Sequence, residues 1–319
     1  MESYTKKVIK FGAGAVLACG GTLAFAMEFF YRLAFDRRLV LPDKLMMNEA
    51  QFARMKENRR TFAALAQTEV SITSFDGKKL VGHWITSPDA KRSLILVHGW
   101  RSGWDIDATG FATWQLSRGA NLLLIEQRAQ GQSEGTYMTY GIDEARDCRD
   151  WVNWLCSKCP NLPVYLFGTS MGASTVILAL ADKLPGQVRG VIADSAYTTP
   201  YGVLTYFGKK RFHVPEKPFM VILDRMARRR LGLDLKKVST TDALKANADS
   251  ARPLQVLLFQ GTADGFVDYH MAYENLVAAG PYGRLELYED VAHVCSYGKR
   301  TEDYQNAVEA FYSRCENEN

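Results

Sequence analysis

The run Leu166-Phe167-Gly168-Thr169-Ser170-Met171-Gly172-Ala173 decides the fold. An apolar segment, Val164 to Phe167, enters a Gly-x-Ser-x-Gly turn, and small residues from Ala173 to Leu184 leave it as a predicted helix. A serine at such a corner sits on a strained strand-to-helix turn with its hydroxyl pushed clear of the sheet. The flanking glycines fit because the corner crowds its neighbours and leaves no room for side chains. The same pattern occurs again at Gly131-Gln132-Ser133-Glu134-Gly135, which serves as an internal control. There the preceding strand, Leu122 to Ile125, stops several residues early, and Thr136-Tyr137-Met138-Thr139-Tyr140-Gly141 replaces the small-residue helix. Context selects Ser170 as the candidate nucleophile and leaves Ser133 as a loop residue.

Outward from that turn, short apolar segments alternate with helical patterns. Val70 to Phe75 and Leu80 to Thr86 read as strands joined by an Asp76-Gly77 turn, a strong hairpin signal. Ser93 to Val97, Leu122 to Ile125, Val188 to Ala193, Leu254 to Phe259 and Arg284 to Tyr288 read as further strands. Helices are expected over Asn48 to Leu65, Asp105 to Ser117, Asp143 to Leu155, Tyr269 to Ala279 and Glu302 to Ser313. Such alternation means a mostly parallel sheet with helices on both faces, the starting hairpin adding antiparallel strands at one edge. Functional residues in such sheets gather beyond the carboxyl ends of the strands.

A serine hydroxyl needs a base at hydrogen-bond distance, and the base needs a third group to fix its tautomer. The chain has five histidines: His83, His98, His213, His270 and His293. Of these His293 lies in the loop after the last strand, Glu289-Asp290-Val291-Ala292-His293, at a carboxyl end. For the acid, Asp264 follows the penultimate strand in Gly261-Thr262-Ala263-Asp264, with Asp268 and Asp194 as rivals. As ordinary residues these would be a turn-forming Asp264, a helix-capping Asp268 and a structural Asp194.

With the order Ser170, Asp264, His293, the chain resembles the α/β-hydrolases, whose nucleophile, acid and histidine run in that order. The likeness spans about residues 69–314 and rests on His98-Gly99-Trp100, the Ser170 turn, Gly261-Thr262-Ala263-Asp264 and His293. Within the family it looks most like bacterial membrane-associated esterases and serine-peptidase-like members. One departure is Glu126-Gln127-Arg128-Ala129-Gln130-Gly131, where many relatives carry Asp-x-Arg-Gly-x-Gly. The resemblance implies an oxyanion hole formed by the backbone N–H groups of Met171 and Trp100, and no cofactor or metal. A serine at the turn also separates the chain from the dehalogenases and epoxide hydrolases of this fold, which use aspartate.

At 319 residues with a net charge of +4, the chain is long enough for one large domain and an appendage, and too mildly basic to imply a nucleic-acid partner. Phe11 to Met27 carries no charge and follows Lys6, Lys7 and Lys10, and apolar residues resume in Phe29-Phe30-Tyr31 and Leu33-Ala34-Phe35. The expectation is a membrane anchor over residues 1–40, with a single transmembrane helix. It places the protein in the cell membrane, the catalytic domain marginally favoured on the outer face. A cleaved signal peptide ending near Ala24-Phe25-Ala26 and a buried helix are the alternatives. A linker helix over 41–68 then leads to a hydrolase domain over 69–319. Cys156-Ser157-Lys158-Cys159 is a lone pair without zinc spacing; it reads as unpaired thiols, or as a local disulfide if the domain is exported.

Between the strands at Val188 and Leu254 the chain runs longer than one helix requires. A helical lid is expected over about 197–250, with helices from Pro218 to Leu231 and Thr240 to Ala248. It is basic, at Lys209-Lys210-Arg211, Arg225, Arg228-Arg229-Arg230 and Lys236-Lys237, which reads as a solvated face or as a surface for anionic headgroups or substrate. Trp100, Trp104, Met171, Tyr197, Phe207 and Phe266 are candidates to line an apolar acyl pocket, or else core residues. The expected function is hydrolysis of small or lipid-like carboxylic esters through an acyl-enzyme. A serine peptidase or amidase on the same triad is the alternative, and a non-catalytic binding protein a third.

Overall fold

A computed structural model describes residues 23–40 and 49–317 of the chain. Helix α1 occupies residues 23–35. It is followed by α2 (Glu49–Ala63), β1 (Thr68–Thr73), β2 (Lys79–Ile85), β3 (Arg92–Val97), α3 (Thr109–Ser117), β4 (Ala120–Ile125) and α4 (Ile142–Lys158). Then come β5 (Val164–Thr169), α5 (Met171–Leu178), β6 (Val188–Asp194), α6 (Pro200–Phe212), α7 (Glu216–Leu231) and α8 (Thr240–Ala248). The chain closes with β7 (Gln255–Gly261), α9 (His270–Ala279), β8 (Gly283–Tyr288), α10 (Ser296–Lys299) and α11 (Thr301–Asn317). The strands form one eight-stranded sheet in the order β1-β2-β4-β3-β5-β6-β7-β8. β1 and β2 are antiparallel at one edge, and every pair from β4 to β8 is parallel.

Strand alternation divides the core in two. Leu94 pairs with Leu122 and Tyr165, and Phe167, Ile192 and Leu257 continue the row across the sheet. These residues face α2, α3 and α11, where Phe62, Phe111, Tyr304 and Phe311 complete one apolar layer. The residues one step along each strand, among them Ile95, Leu123, Leu166, Val191 and Val256, face α4, α5, α8 and α9. Both faces are covered, which is why these strands read as continuous apolar runs.

A third apolar cluster sits beyond the carboxyl ends of the strands. It is built from α1, α6 and α7, with Met27, Tyr31, Phe35, Leu204, Phe219 and Leu223 among its members. The expected lid therefore divides: α6 and α7 form this cluster, whereas Ala243 and Leu244 of α8 pack into the core under the sheet. α6 was not foreseen, because Gly202, Gly208, Val203 and Thr205 lower its helix propensity. Its start is nonetheless marked: Thr199 accepts from the Gly202 N–H at 2.9 Å and Pro200 occupies the first turn, a readable start signal. α3 begins at Thr109 rather than Asp105, because residues 99–108 form a loop that ends at Ala108 with φ 59°.

Of the expected membrane span, Phe11 to Met27, residues 11–22 lie outside the described residues. Among the described residues no helix is long and apolar enough to cross a membrane. Cys148, Cys156 and Cys159 are free thiols.

Candidate active site

Ser170 joins β5 to α5 with φ 53° and ψ −117°, a conformation that non-glycine residues rarely hold without surrounding constraint. Packing supplies the constraint. A Cβ on Gly168 would lie 2.2 Å from the Gly172 carbonyl oxygen, and one on Gly172 would lie 2.0 Å from that of Val97. The helix therefore approaches the sheet so closely that only glycine fits on either side of Ser170. Ser133, in the second copy of the pattern, is fully buried and spent on structure. Its hydroxyl donates to the Glu126 carbonyl at 2.6 Å and accepts from the Val81 N–H at 2.8 Å.

The loops after β7 and β8 are neighbours because those strands pair in parallel. They are fastened to each other: Thr262 N–H donates to the Tyr288 carbonyl at 3.0 Å and Ala263 N–H to that of Val291 at 3.1 Å. This brings Asp264 and His293 together. His293 Nδ1 lies 2.7 Å from Asp264 Oδ2, and Nε2 lies 2.9 Å from Ser170 Oγ. A carboxylate only accepts, so Nδ1 carries the proton and Nε2 is left to accept from the serine hydroxyl.

Asp264 is held by more than the histidine. Its Oδ2 also accepts from Gln260 Nε2 at 2.9 Å, and Oδ1 accepts from the backbone N–H of Phe266 at 2.7 Å and Val267 at 2.9 Å. Burial pushes its pKa up, but the His293 charge and hydrogen bond and the two N–H donors prevail and hold it below the usual carboxylate range. For His293, burial acts to lower the pKa, and the charge and hydrogen bond of Asp264 more than offset it, so the ring stays protonated to higher pH than an ordinary histidine.

The rival residues are occupied elsewhere. Asp268 pairs with His270 at 2.8 Å near the surface. Asp194 is buried at the end of β6, where Oδ1 accepts from the Ser195 hydroxyl at 2.9 Å; burial pushes its carboxyl up to about 6. His83 pairs with Glu126 at 2.9 Å. His98 is buried between the Gly99 carbonyl and the Gln127 N–H, and His213 ends α6.

Residues 88–210 match the family described as "Serine aminopeptidase, S33", a stretch that contains Ser170 and stops before Asp264 and His293. YqkD of Bacillus subtilis (strain 168), itself named an uncharacterized protein, is 25% identical over 255 residues, 79% of this chain and 81% of that one. Among solved structures, the Pyrococcus furiosus esterase Pf2001 superposes with a TM-score of 0.64 at 22% identity, covering 79% of this chain and 92% of its own. The acylaminoacyl peptidase of Pyrococcus horikoshii superposes at 0.57 and 14% identity, over 80% of this chain and 43% of its own. The chain has the α/β-hydrolase fold.

Ser170 opens into a pocket that encloses, with its mouth, about 660 Å³. Trp100, Met171, Tyr197, Phe207 and Phe266 line it, together with residues of α6 and α7, and none of the lining side chains is charged. Phe266 stacks on the His293 ring at 5.0 Å and on Phe207 at 4.9 Å. Trp104, expected in the pocket, lies elsewhere. Its ring stacks on His83 at 3.7 Å and packs near Phe62, among the residues of the α2 and α3 layer. The loop turns between Trp100 and Trp104, so the two indoles point to different sides.

The backbone N–H of Met171 is at the first position of α5, where a helix leaves its donors without internal partners. The Gly99-Trp100 peptide lies beside the nucleophile: a Cβ on Gly99 would be 3.3 Å from Ser170 Cβ. Sequence reasoning missed Asp107, whose Oδ2 accepts from the Gly99 N–H at 2.8 Å and Thr169 Oγ1 at 3.0 Å, while Oδ1 accepts from Ser102 Oγ at 2.7 Å. This carboxylate joins the loop after β3 to the end of β5, the two segments that flank Ser170. Nor did sequence reasoning place the N-terminal helix at the pocket, where α1 contributes Phe30, Leu33 and Ala34 to the wall. No cluster of His, Cys, Asp or Glu among the described residues has the arrangement of a metal site.

Proposed function

We propose that the protein is a serine hydrolase that cleaves esters of apolar acyl groups, with Ser170 as nucleophile, His293 as base and Asp264 as its orienting acid. The observation that carries this reading is the unbroken chain of contacts from Asp264 through His293 to Ser170 Oγ, at 2.7 and 2.9 Å, at the floor of an uncharged pocket. His293 Nε2 takes the hydroxyl proton as Ser170 Oγ attacks the acyl carbon. The carbonyl oxygen becomes negative and accepts from the N–H groups of Met171 and Trp100, each such donor contributing about 3 to 4 kcal/mol to the transition state. The imidazolium, stabilised by Asp264, passes its proton to the departing alkoxide, and water repeats the sequence on the acyl-enzyme.

A peptidase or amidase reading is favoured by the description of the matching family. Against it, an aminopeptidase must hold a substrate ammonium, and among the described residues the pocket wall offers no carboxylate to meet one. A panel of nitrophenyl esters of increasing acyl length, set beside aminoacyl nitroanilides, tests the choice. Turnover of the esters by the wild type, abolished in Ser170→Ala, is expected. Faster turnover of the nitroanilides at equal concentration would overturn the ester reading, and no turnover of either class would overturn the hydrolase reading.

A further inference from the structure

The loop that carries Trp100 is tied to the helices that precede the sheet. Trp100 Nε1 donates to the Ala34 carbonyl at 2.9 Å. Arg101, at φ 53°, sends its guanidinium to four main-chain carbonyls where α1 ends. Nε donates to Leu33 at 3.1 Å, Nη1 to Leu39 at 2.7 Å, and Nη2 to Arg32 at 3.2 Å and Asp36 at 2.7 Å. The last carbonyls of a helix lack internal partners and carry the negative end of its dipole, so a guanidinium there satisfies both. Farther along, Asn58 Nδ2 of α2 donates to the Ile106 carbonyl at 2.6 Å, and Arg59 lies 3.3 Å from Asp105. Asp107 then closes the loop against Gly99 and Thr169.

Two features of the site thus share one fastening. The peptide read as an oxyanion donor and the helix that brings Phe30 and Leu33 to the pocket wall both meet at Arg101. Resting on the serine-hydrolase reading, we propose that Arg101 is a positioning residue: by gripping the carbonyls at the end of α1 it holds the Gly99-Trp100 peptide against Ser170. A planar fork that spans four carbonyls is a geometry that lysine, with one compact ammonium, does not reproduce.

The test compares full-length Arg101→Met, Arg101→Lys and the control Arg230→Met. The control removes the 2.7 Å pair between α7 and Glu28 of α1 without touching the loop. Each is assayed for kcat and KM on a nitrophenyl ester, and for affinity toward an alkyl boronic acid, whose oxygen occupies the oxyanion position, and toward the matching alkyl alcohol, which fills the pocket alone. For Arg101→Met, kcat and boronate affinity should fall about 10- to 100-fold with KM and alcohol affinity changed less than about threefold. Arg101→Lys, which preserves charge and solubility, should fall between that variant and the wild type, and Arg230→Met should stay near the wild type. A wild-type kcat in both folded Arg101 variants would overturn the positioning role, as would equal losses of boronate and alcohol affinity. So would an equal loss of kcat in Arg230→Met. A wild type inert toward every ester and unlabelled by a fluorophosphonate would instead overturn the hydrolase reading, and the proposal with it.

Discussion

Adding one methyl group at Gly172 should pry apart the two halves of the proposed oxyanion site. A Cβ there would lie 2.0 Å from the Val97 carbonyl oxygen and 2.6 Å from that of His98. A carbon and a carbonyl oxygen rest about 3.3 Å apart or more, so α5 and the end of β3 must separate by about 1 Å. Met171 N–H rides on α5 and Trp100 N–H on the loop that leaves β3. Shifting one donor by about 1 Å takes it from about 3 Å to about 4 Å from the oxyanion, beyond hydrogen-bond range. Loss of one such donor lowers kcat by about 10² to 10³, and overpacking of this kind costs about 1–3 kcal/mol of stability. The assay is ester hydrolysis normalised to sites labelled by a fluorophosphonate, with Tm read in parallel. Gly172→Ala should keep a labelled Ser170, lose kcat and hold KM within about threefold. Gly186→Ala is the control, because a Cβ there meets nothing within 4 Å. A Gly172→Ala enzyme with wild-type kcat and Tm would refute the claim that this contact sets the donor geometry.

Three further outcomes follow from the same contacts. His293 must be neutral to accept a proton, and Asp264 raises its pKa; the acid limb of kcat/KM should therefore turn over above the ordinary value of about 6.5, and a limb at or below it would contradict the assigned pair. Asp264→Asn should lower kcat by about 10⁴ through the wrong tautomer, whereas Asp268→Asn, which loses only the His270 contact, should leave kcat unchanged; steady-state kinetics on both separates the two carboxylates. Ser133→Ala should retain activity but unfold at lower denaturant, because the Val81 N–H and Glu126 carbonyl lose a buried partner, a cost of about 1–3 kcal/mol.

The parallel sheet was legible because its strands are apolar on both faces and its helices are not, so boundaries at β3, β5 and β6 fall within two residues of expectation. Asp264 and His293 were legible for a topological reason: each follows a strand at its carboxyl end, and adjacent parallel strands deliver such loops to one place. The two Gly-x-Ser-x-Gly copies were separable by context alone, and the structure supplies the physical difference. Gly168 and Gly172 are closed by backbone contacts at the Ser170 turn, whereas Ser133 faces inward and binds the main chain. Trp104 and Asp107 were not legible in the same way. Both lie in a loop without periodicity, in which Arg101 at φ 53° and Ala108 at φ 59° adopt left-handed backbone. Composition predicts that an indole will be buried there, but it carries no information about which side of the turn receives it.

Helix α1 carries a different lesson, because its described residues show a one-sided apolar pattern. A membrane span is apolar around its whole circumference, whereas a helix docked on a protein is apolar along one stripe. Met27, Tyr31, Ala34 and Phe35 recur at spacings of four, three and one, and they are buried, as is Leu33. Between them Glu28 and Arg32 form an (i, i+4) pair at 2.9 Å, and Glu28 also reaches Arg230 of α7 at 2.7 Å. Leu23 and Phe25, ahead of this stripe, remain exposed. Hydropathy averaged over a window merges the two patterns, because Phe29 and Phe30 raise the mean while Glu28 and Arg32 interrupt the circumference. The helical period distinguishes them, and it marks residues 27–35 as a stripe docked on the protein. The same stripe puts Phe30 against Phe212 and Phe219 at 5.0 and 4.9 Å, so the surface that docks the helix is also the surface that closes the pocket.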